Sequence, residues 1–353
     1  MPEDNITTLL GNCPVPFLDT TEVLLGHGSG GKLTADLIEK LFLPAFYNPY
    51  LARLDDQAVL EVNGVRLAFT TDAFVVTPIF FPGGDIGRLA VNGTVNDLAM
   101  SGARPLFLSA AFILEEGLPL ADLERIVRSM QEACKIAGVI LVTGDTKVVN
   151  RGSGDKIFIT TSGMGIIEHE VHIAVDRAQV GDRVILSGTI ADHGMAVLSQ
   201  RQGLEFETQI VSDTVALNSL VQAMLEISSA IHCLRDPTRG GIATTLNEIA
   251  RRSQVGVVLD ESCIPMREEV KGACEILGLD PLYVANEGKL IAIVGREDAE
   301  KLVTRMHRHP DGQAARIIGE VVADHAGMVV LRTEIGGSRI VDLPLGEQLP
   351  RIC

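Results

Sequence analysis

The apolar residues of this chain change period, and the change is made twice. From 55 to 81 the period is two, and AVLEVNGVRLAFTTDAFVV reads as a strand, an Asn63-Gly64 hairpin and a second strand. Residues 85–100 return to helical spacing, SGARPLFLSAAFIL gives a turn and a strand, and an amphipathic helix follows at 119–137. Strands are expected at 139–143 and 157–167. The same grammar then recurs. Residues 181–188 read as a strand, helices are expected after ADHGMAVLSQRQG, at 214–229 and at 241–253, and strands at 255–259 and 290–294. Strands at 317–321 and 328–332 read as a closing pair. Upstream, Gly26-His-Gly-Ser-Gly-Gly-Lys32 leads into a helix that Pro44 is expected to end. A chain that alternates in this way folds as α/β (α+β) in two units. The expected divisions are a lead-in over 1–22, a first domain over 23–168, a second over 169–332, and a flexible tail over 333–353 that finishes in Cys353.

Composition narrows the function. The 353 residues exceed what one core usually holds. With no Trp, three Tyr and eleven Phe, the core must be aliphatic. A net charge of −16 repels a phosphate backbone, so nucleic acid is not an expected partner. Carboxylates still bind nucleotides through Mg²⁺. No apolar stretch reaches the length of a membrane span, and the first residues lack a signal pattern. The six Cys form no CxxC pair and no zinc pattern. A cytoplasmic protein with reduced thiols is expected.

Acidic residues stand beside expected strand ends: Asp55-Asp56, Asp72, Asp97 and Asp145. Singly, each equally suits a cap or a turn. Together in one apolar half they suit hard cations and nucleotide phosphates. The His27–Lys32 loop offers backbone N–H groups and one Lys, which suits phosphate or a hinge; it lacks Walker A spacing. Asp236-Pro-Thr-Arg-Gly-Gly suits either an anion or a turn, and so does Asn286-Glu287-Gly288. Lys147 follows Asp145 by two, which puts both on one face of an extended segment. Cys353 has no downstream residue in this sequence to hold it. The eleven residues from Leu343 to Cys353 span roughly 35 Å when extended, at about 3.3 Å each.

VNDLAMSGARP, TGDTK, DPTRGG and NEG, in this order, resemble the aminoimidazole-ribonucleotide-synthetase-like (PurM-like) ATP enzymes. The ending Pro350-Arg351-Ile352-Cys353 resembles the HypE group within them, the carbamoyl dehydratases of hydrogenase maturation. The resemblance implies ATP and Mg²⁺ as cofactors and a carbamoyltransferase partner, HypF, which loads Cys353. It implies dehydration of that carbamoyl group to a thiocyanate, and passage of CN to a HypC–HypD iron complex. It implies a homodimer whose first domains form a barrel-like core. Asp55, Asp56, Asp72, Asp97 and Asp145 are the implied metal ligands. Gly28, Gly30, Gly31, Lys32, Asp72, Asn96, Asp97, Thr143, Gly144 and Asp145 are the implied nucleotide contacts. Cys353, Lys147 and Glu287 are the implied catalytic groups. A kinase or synthetase acting on a free small molecule, or a nucleotide-sensing adaptor with a docking tail, are the rival readings.

Overall fold

The computed structural model describes residues 21–204 and 209–346. Cys353 and the lead-in before residue 21 lie outside the described residues. The first unit is a five-stranded sheet: β1 (Ala58–Val62), β2 (Val65–Phe74), β3 (Arg104–Glu115), β4 (Ile140–Val149) and β5 (Ile157–Ile166), in the order β1-β2-β5-β3-β4. Asn63 and Gly64 both take positive φ, 53° and 80°, which closes the β1–β2 hairpin as its sequence predicts. Helices Ile86–Ala99 and Leu120–Ala137 cover one face, where Ile86, Leu89, Val95, Ile126 and Met130 pack on Leu108, Ile157 and Ile159. Asp85 caps the first of these helices, accepting from the Gly87 and Arg88 N–H groups. Among the described residues, no helix covers the other face of the sheet. There Phe69, Met164, Phe107 and Ile140 stand in register across four strands, 46%, 37%, 38% and 62% exposed.

The second unit is a seven-stranded sheet with helices on both sides. Its strands are β6 (Arg183–Leu186), β7 (Ile231–Arg235), β8 (Gly256–Asp260), β9 (Ile291–Val294), β10 (Arg316–Val322), β11 (Val329–Arg332) and β12 (Ser338–Val341), in the order β12-β11-β8-β10-β6-β9-β7. Val184 and Leu186 face the helix Gly241–Ser253, while Ile185 faces helices Asn218–Leu225 and Ala299–Met306. No helix or strand occurs between residues 167 and 182. No helix of the described residues is long and apolar enough to cross a membrane.

Several expectations are corrected. The strands read as a closing pair do not pair with each other; β8 lies between them, antiparallel to β10 and parallel to β11. The tail reading from 333 fails at 338–341, because β12 pairs antiparallel with β11. Pro44 does not stop its helix. The helix Lys32–Leu37 loosens to π geometry over Ile38–Phe42 and continues through Leu43–Phe46, so no turn demands the N–H that Pro44 lacks. The helix read over 214–229 is only Asn218–Leu225. Strand β7 was not expected, because His232 and Arg235 interrupt its short apolar run.

β4 runs parallel to β3 and past the bulge at Leu108/Ser109. A Cβ on Gly144 would stand 2.4 Å from the Ala110 carbonyl oxygen. Gly144 is therefore a packing residue of the strand pair. We expect Gly144→Ala to lower stability by about 1–3 kcal/mol. A urea midpoint equal to that of the unchanged chain would refute the close approach.

Candidate functional site: a carboxylate cavity between the two units

Asp56 sits just before β1, Asp72 lies within β2, and Asp97 lies on the helix Ile86–Ala99. Asp236 follows β7 at once, and Glu287 occupies the turn before β9. All five line two adjoining cavities, of about 390 and 210 Å³, that share Thr71, Asp72, Asp97, Asp236, Thr238 and Arg239. The two units thus contribute carboxylates to one space.

Carboxylate oxygens of Asp56, Asp97 and Asp236 lie within 4.8 Å of one another. Thr70 Oγ1 stands 2.8 Å from Asp97 Oδ2 and 2.8 Å from the Asp56 carbonyl, holding these two together. Thr94 donates to Asp72 at 3.2 Å. Arg235 is the main counter-charge, 2.8 Å from Asp56 and 2.8 Å from Glu248. It reaches only one edge of the cluster. Burial pushes Asp97 well above the usual carboxylate range, and the neighbouring charges of Asp72, Asp236 and Asp56 add to that. Burial raises Asp56 in the same way despite Arg235. Asp72 is raised by burial, and Asp236 is pushed up to about 6 by burial with help from Asp72. Carboxylates crowded this closely cannot all be ionised unless a cation joins them.

The donor set fits one. It is all oxygen, several-fold anionic, and Asp56 Oδ2 is buried with no hydrogen-bond partner. Hard divalent cations such as Mg²⁺ take such ligands.

Glu287 is 3% exposed and shares the smaller cavity with Asp72, Asp97 and Asp236. Burial, then the charges of Asp236, Asp213 and Asp72, raise its pKa well above the ordinary value. Its turn is fixed from three sides. Asn286 donates to the Pro237 and Val284 carbonyls and accepts from the Ala191 N–H. Asp213 accepts from the Glu287 N–H at 3.2 Å and pairs with Lys289 at 3.2 Å. Asn96 donates to the Glu287 and Val215 carbonyls and accepts from the Leu217 N–H.

The other expected site residues fall elsewhere. Asn96 is 1% exposed, and these bonds use its amide, so it ties the two units together rather than facing the cavity. Asp55 lines the larger cavity, yet its carboxylate accepts from the Val175 N–H and pairs with Arg53 at 3.3 Å, pinning the connection between the units. Thr143, Gly144, Asp145 and Lys147 lie on β4, at the far edge of the first sheet from β1 and β2. None of them lines either cavity. Lys147 holds both Asp145 oxygens, at 2.9 and 2.8 Å, and this bonding keeps the Asp145 carboxyl below its usual range. Of the glycine loop only Gly30 lines the cavity. Asp236 was missed as a ligand because its motif suits a turn equally well, although an Asp beside Arg235 in apolar sequence is a signal. Asp213 has no comparable signal.

The AIR synthase related protein N-terminal domain matches residues 54–167, and the AIR synthase related protein C-terminal domain matches 179–332. The carbamoyl dehydratase HypE of Azotobacter vinelandii is 58% identical over 93% of this chain and 96% of its own length. The chain belongs to the HypE family of carbamoyl dehydratases. Among solved structures, a HypE–HypF complex is similar with a TM-score of 0.84 and 52% identity, over 87% of this chain and 99% of that one. A HypE bound to ATP is similar with a TM-score of 0.79 and 52% identity, over 94% of this chain and 100% of that one.

The raised carboxylates set a sign for pH dependence. A carboxyl whose pKa rises on folding takes stability away as pH climbs from about 4 through the folded value, here about 6 for Asp236. A divalent cation bound to the ionised cluster offsets that loss. We expect Mg²⁺ to raise the melting temperature more at pH about 7.5 than at pH about 5.5. Equal shifts at both values, or none, would remove the cluster as a cation site.

Proposed function

We propose that this chain uses ATP to dehydrate an S-carbamoyl group on Cys353 to a thiocyanate, and so supplies cyanide ligands for hydrogenase iron. The observation that carries this reading is the joining, in one cavity, of a cation-type carboxylate cluster with a buried Glu287 whose proton affinity is raised. The similar HypE proteins crystallised with ATP and with HypF support it.

The chemistry balances as follows. The carbamoyl oxygen attacks the γ-phosphorus of ATP, and ADP leaves. The C–O bond then breaks with release of phosphate, and the two N–H protons depart to leave a C≡N group on sulfur. An amide oxygen leaves poorly until it is phosphorylated, which is why ATP is consumed. Asp56, Asp97 and Asp236, with Asp72 beside them, would hold Mg²⁺, which would supply positive charge against the phosphates. Glu287 accepts a proton. Burial and the neighbouring charges of Asp236, Asp213 and Asp72 raise its pKa, which makes it a stronger base than an ordinary carboxylate. HypF loads the thiol, a HypC–HypD complex accepts the product, and the setting is the cytoplasm.

The protein acts as a homodimer in this reading. The stripe Phe69, Met164, Phe107 and Ile140 is apolar, in register and uncovered, and β4 adds an open edge with Leu141, Val142 and Val148 exposed. A second copy is the occupant that covers such a face on every chain alike. Lys147 and Asp145 share that edge, so Lys147 is assigned to act on the partner copy's cavity.

Three substitutions test the reading. Cys353→Ala abolishes product while leaving ATP binding intact; an enzyme of a free small molecule keeps its turnover. Glu287→Gln retains ATP binding and slows single-turnover dehydration by about 10²–10⁴-fold. Met164→Asp yields a monomer by sedimentation and loses the reaction with it. A dimer that survives Met164→Asp contradicts the assigned face.

A further inference from the structure

The glycine loop makes two close backbone approaches, one to Arg239 and one to Pro344. Gly30 takes φ +79°, and a Cβ there would stand 2.9 Å from the Arg239 carbonyl oxygen; Arg239 in turn donates to the Gly28 carbonyl at 3.1 Å. Gly31 has an ordinary φ of −91°, so its backbone suits any residue. A Cβ on Gly31 would stand 2.4 Å from the Pro344 carbonyl oxygen. That same carbonyl accepts the Lys32 N–H at 2.9 Å, and Lys32 Nζ pairs with Asp342 at 2.7 Å, where Arg251 also approaches at 3.6 Å. Leu343 and Gly30 line the larger carboxylate cavity. The loop therefore binds the segment 342–344 at the mouth of that cavity, beside the Arg239 turn.

We propose that Gly30, Gly31 and Lys32 form a clip that fixes the root of the Cys353 segment at the cavity mouth, as positioning residues of the reaction. Resting on the proposed role of Cys353, the clip defines what must travel. Cys353 lies seven residue steps beyond Gly346, roughly 23 Å of reach when extended at about 3.3 Å each. An unclipped root adds residues to the search without bringing the sulfur closer.

Gly31→Ala is the sharp test, because its backbone fits alanine and only the Pro344 carbonyl is displaced. Hydrogen exchange on the full chain reads the clip directly. We expect exchange of the amides over 338–346 to rise at least tenfold in Gly31→Ala and to rise in Lys32→Met, with Lys32→Arg restoring protection. We expect the Kd for ATP to stay within about twofold in both Gly31→Ala and Lys32→Met, while single-turnover dehydration of carbamoylated protein falls at least tenfold. Unchanged exchange in Gly31→Ala overturns the clip. A tenfold loss of ATP affinity in Lys32→Met with unchanged exchange overturns it too and makes the loop a phosphate cradle. Exchange is measured without any carbamoyl group, so the clip stands or falls separately from the role of Cys353.

Discussion

Buried like charge organises this molecule. Asp56, Asp72, Asp97, Asp236 and Glu287 come from both halves of the chain and converge on shared cavity space. At an effective dielectric of about 20, two unit charges at about 4 Å repel by roughly 4 kcal/mol, so Arg235 at one edge and Arg239 in the cavity wall do not neutralise the set. Arg235 pairs with Asp56 and Glu248 and also draws Asp236 down, yet burial and the neighbouring carboxylates keep Asp97 and Asp236 raised. A fold that keeps such a cluster carries a standing electrostatic cost. That cost turns into binding free energy when a divalent ion enters. The separation of ligands between two units also means that the site exists only when both have docked.

The docking combines charge with amides: Arg235 of the second unit pairs with Asp56 of the first at 2.8 Å, and buried amides add to it. Asn96 spans from the first unit to the backbone of the second, and Asn286 ties the Glu287 turn to Pro237 beside Asp236. Neutral, fully used amides are suited to this work, since they add no charge to an already crowded site. Lys289 and Asp213 do carry charge, but as a pair behind the turn. Burial pushes the Asp213 carboxyl up, while Lys289 and the Glu287 N–H hold it below the usual range on balance. Asp213 therefore stays ionised and adds to the field that keeps Glu287 raised. The floor of the cavity is thus fixed, while its rim is built from the glycine loop and residues 342–344.

Much of this was legible in the amino-acid sequence, for identifiable reasons. The β1–β2 hairpin was plain because Asn63-Gly64 is the turn signal that two positive φ values demand. Asp72 and Asp97 stand out because acids in apolar sequence are costly unless used, whereas Glu287 suits a turn equally well and comes forward only through the family resemblance. The failures are of three kinds. Strand β7 was too short and too polar to show a period. The order of the second sheet depends on which strand β8 neighbours, and no local pattern encodes that. The roles of Asn96 and Gly144 are tertiary: one residue's amide is absorbed by a distant backbone, and the other's missing Cβ admits the Ala110 carbonyl. Both come forward as nucleotide contacts only through the motifs that carry the family resemblance.

Lys147 stands on the exposed edge strand of the first sheet, away from the carboxylate cavity. β4 is hydrogen-bonded on one side only, and its side chains from Ile140 to Val148 are exposed on both faces although Ile140, Leu141, Val142 and Val148 are apolar. An isolated strand of this composition is an aggregation hazard unless another chain covers it. In the proposed dimer that covering and the delivery of Lys147 are one event. Asp145 then has a role that needs no metal. It keeps the Lys147 ammonium paired and extended along the strand until a partner's phosphate, a stronger acceptor, competes for it. On this argument the acid in TGDTK belongs to the lysine, and the cation belongs to the acids between the two units.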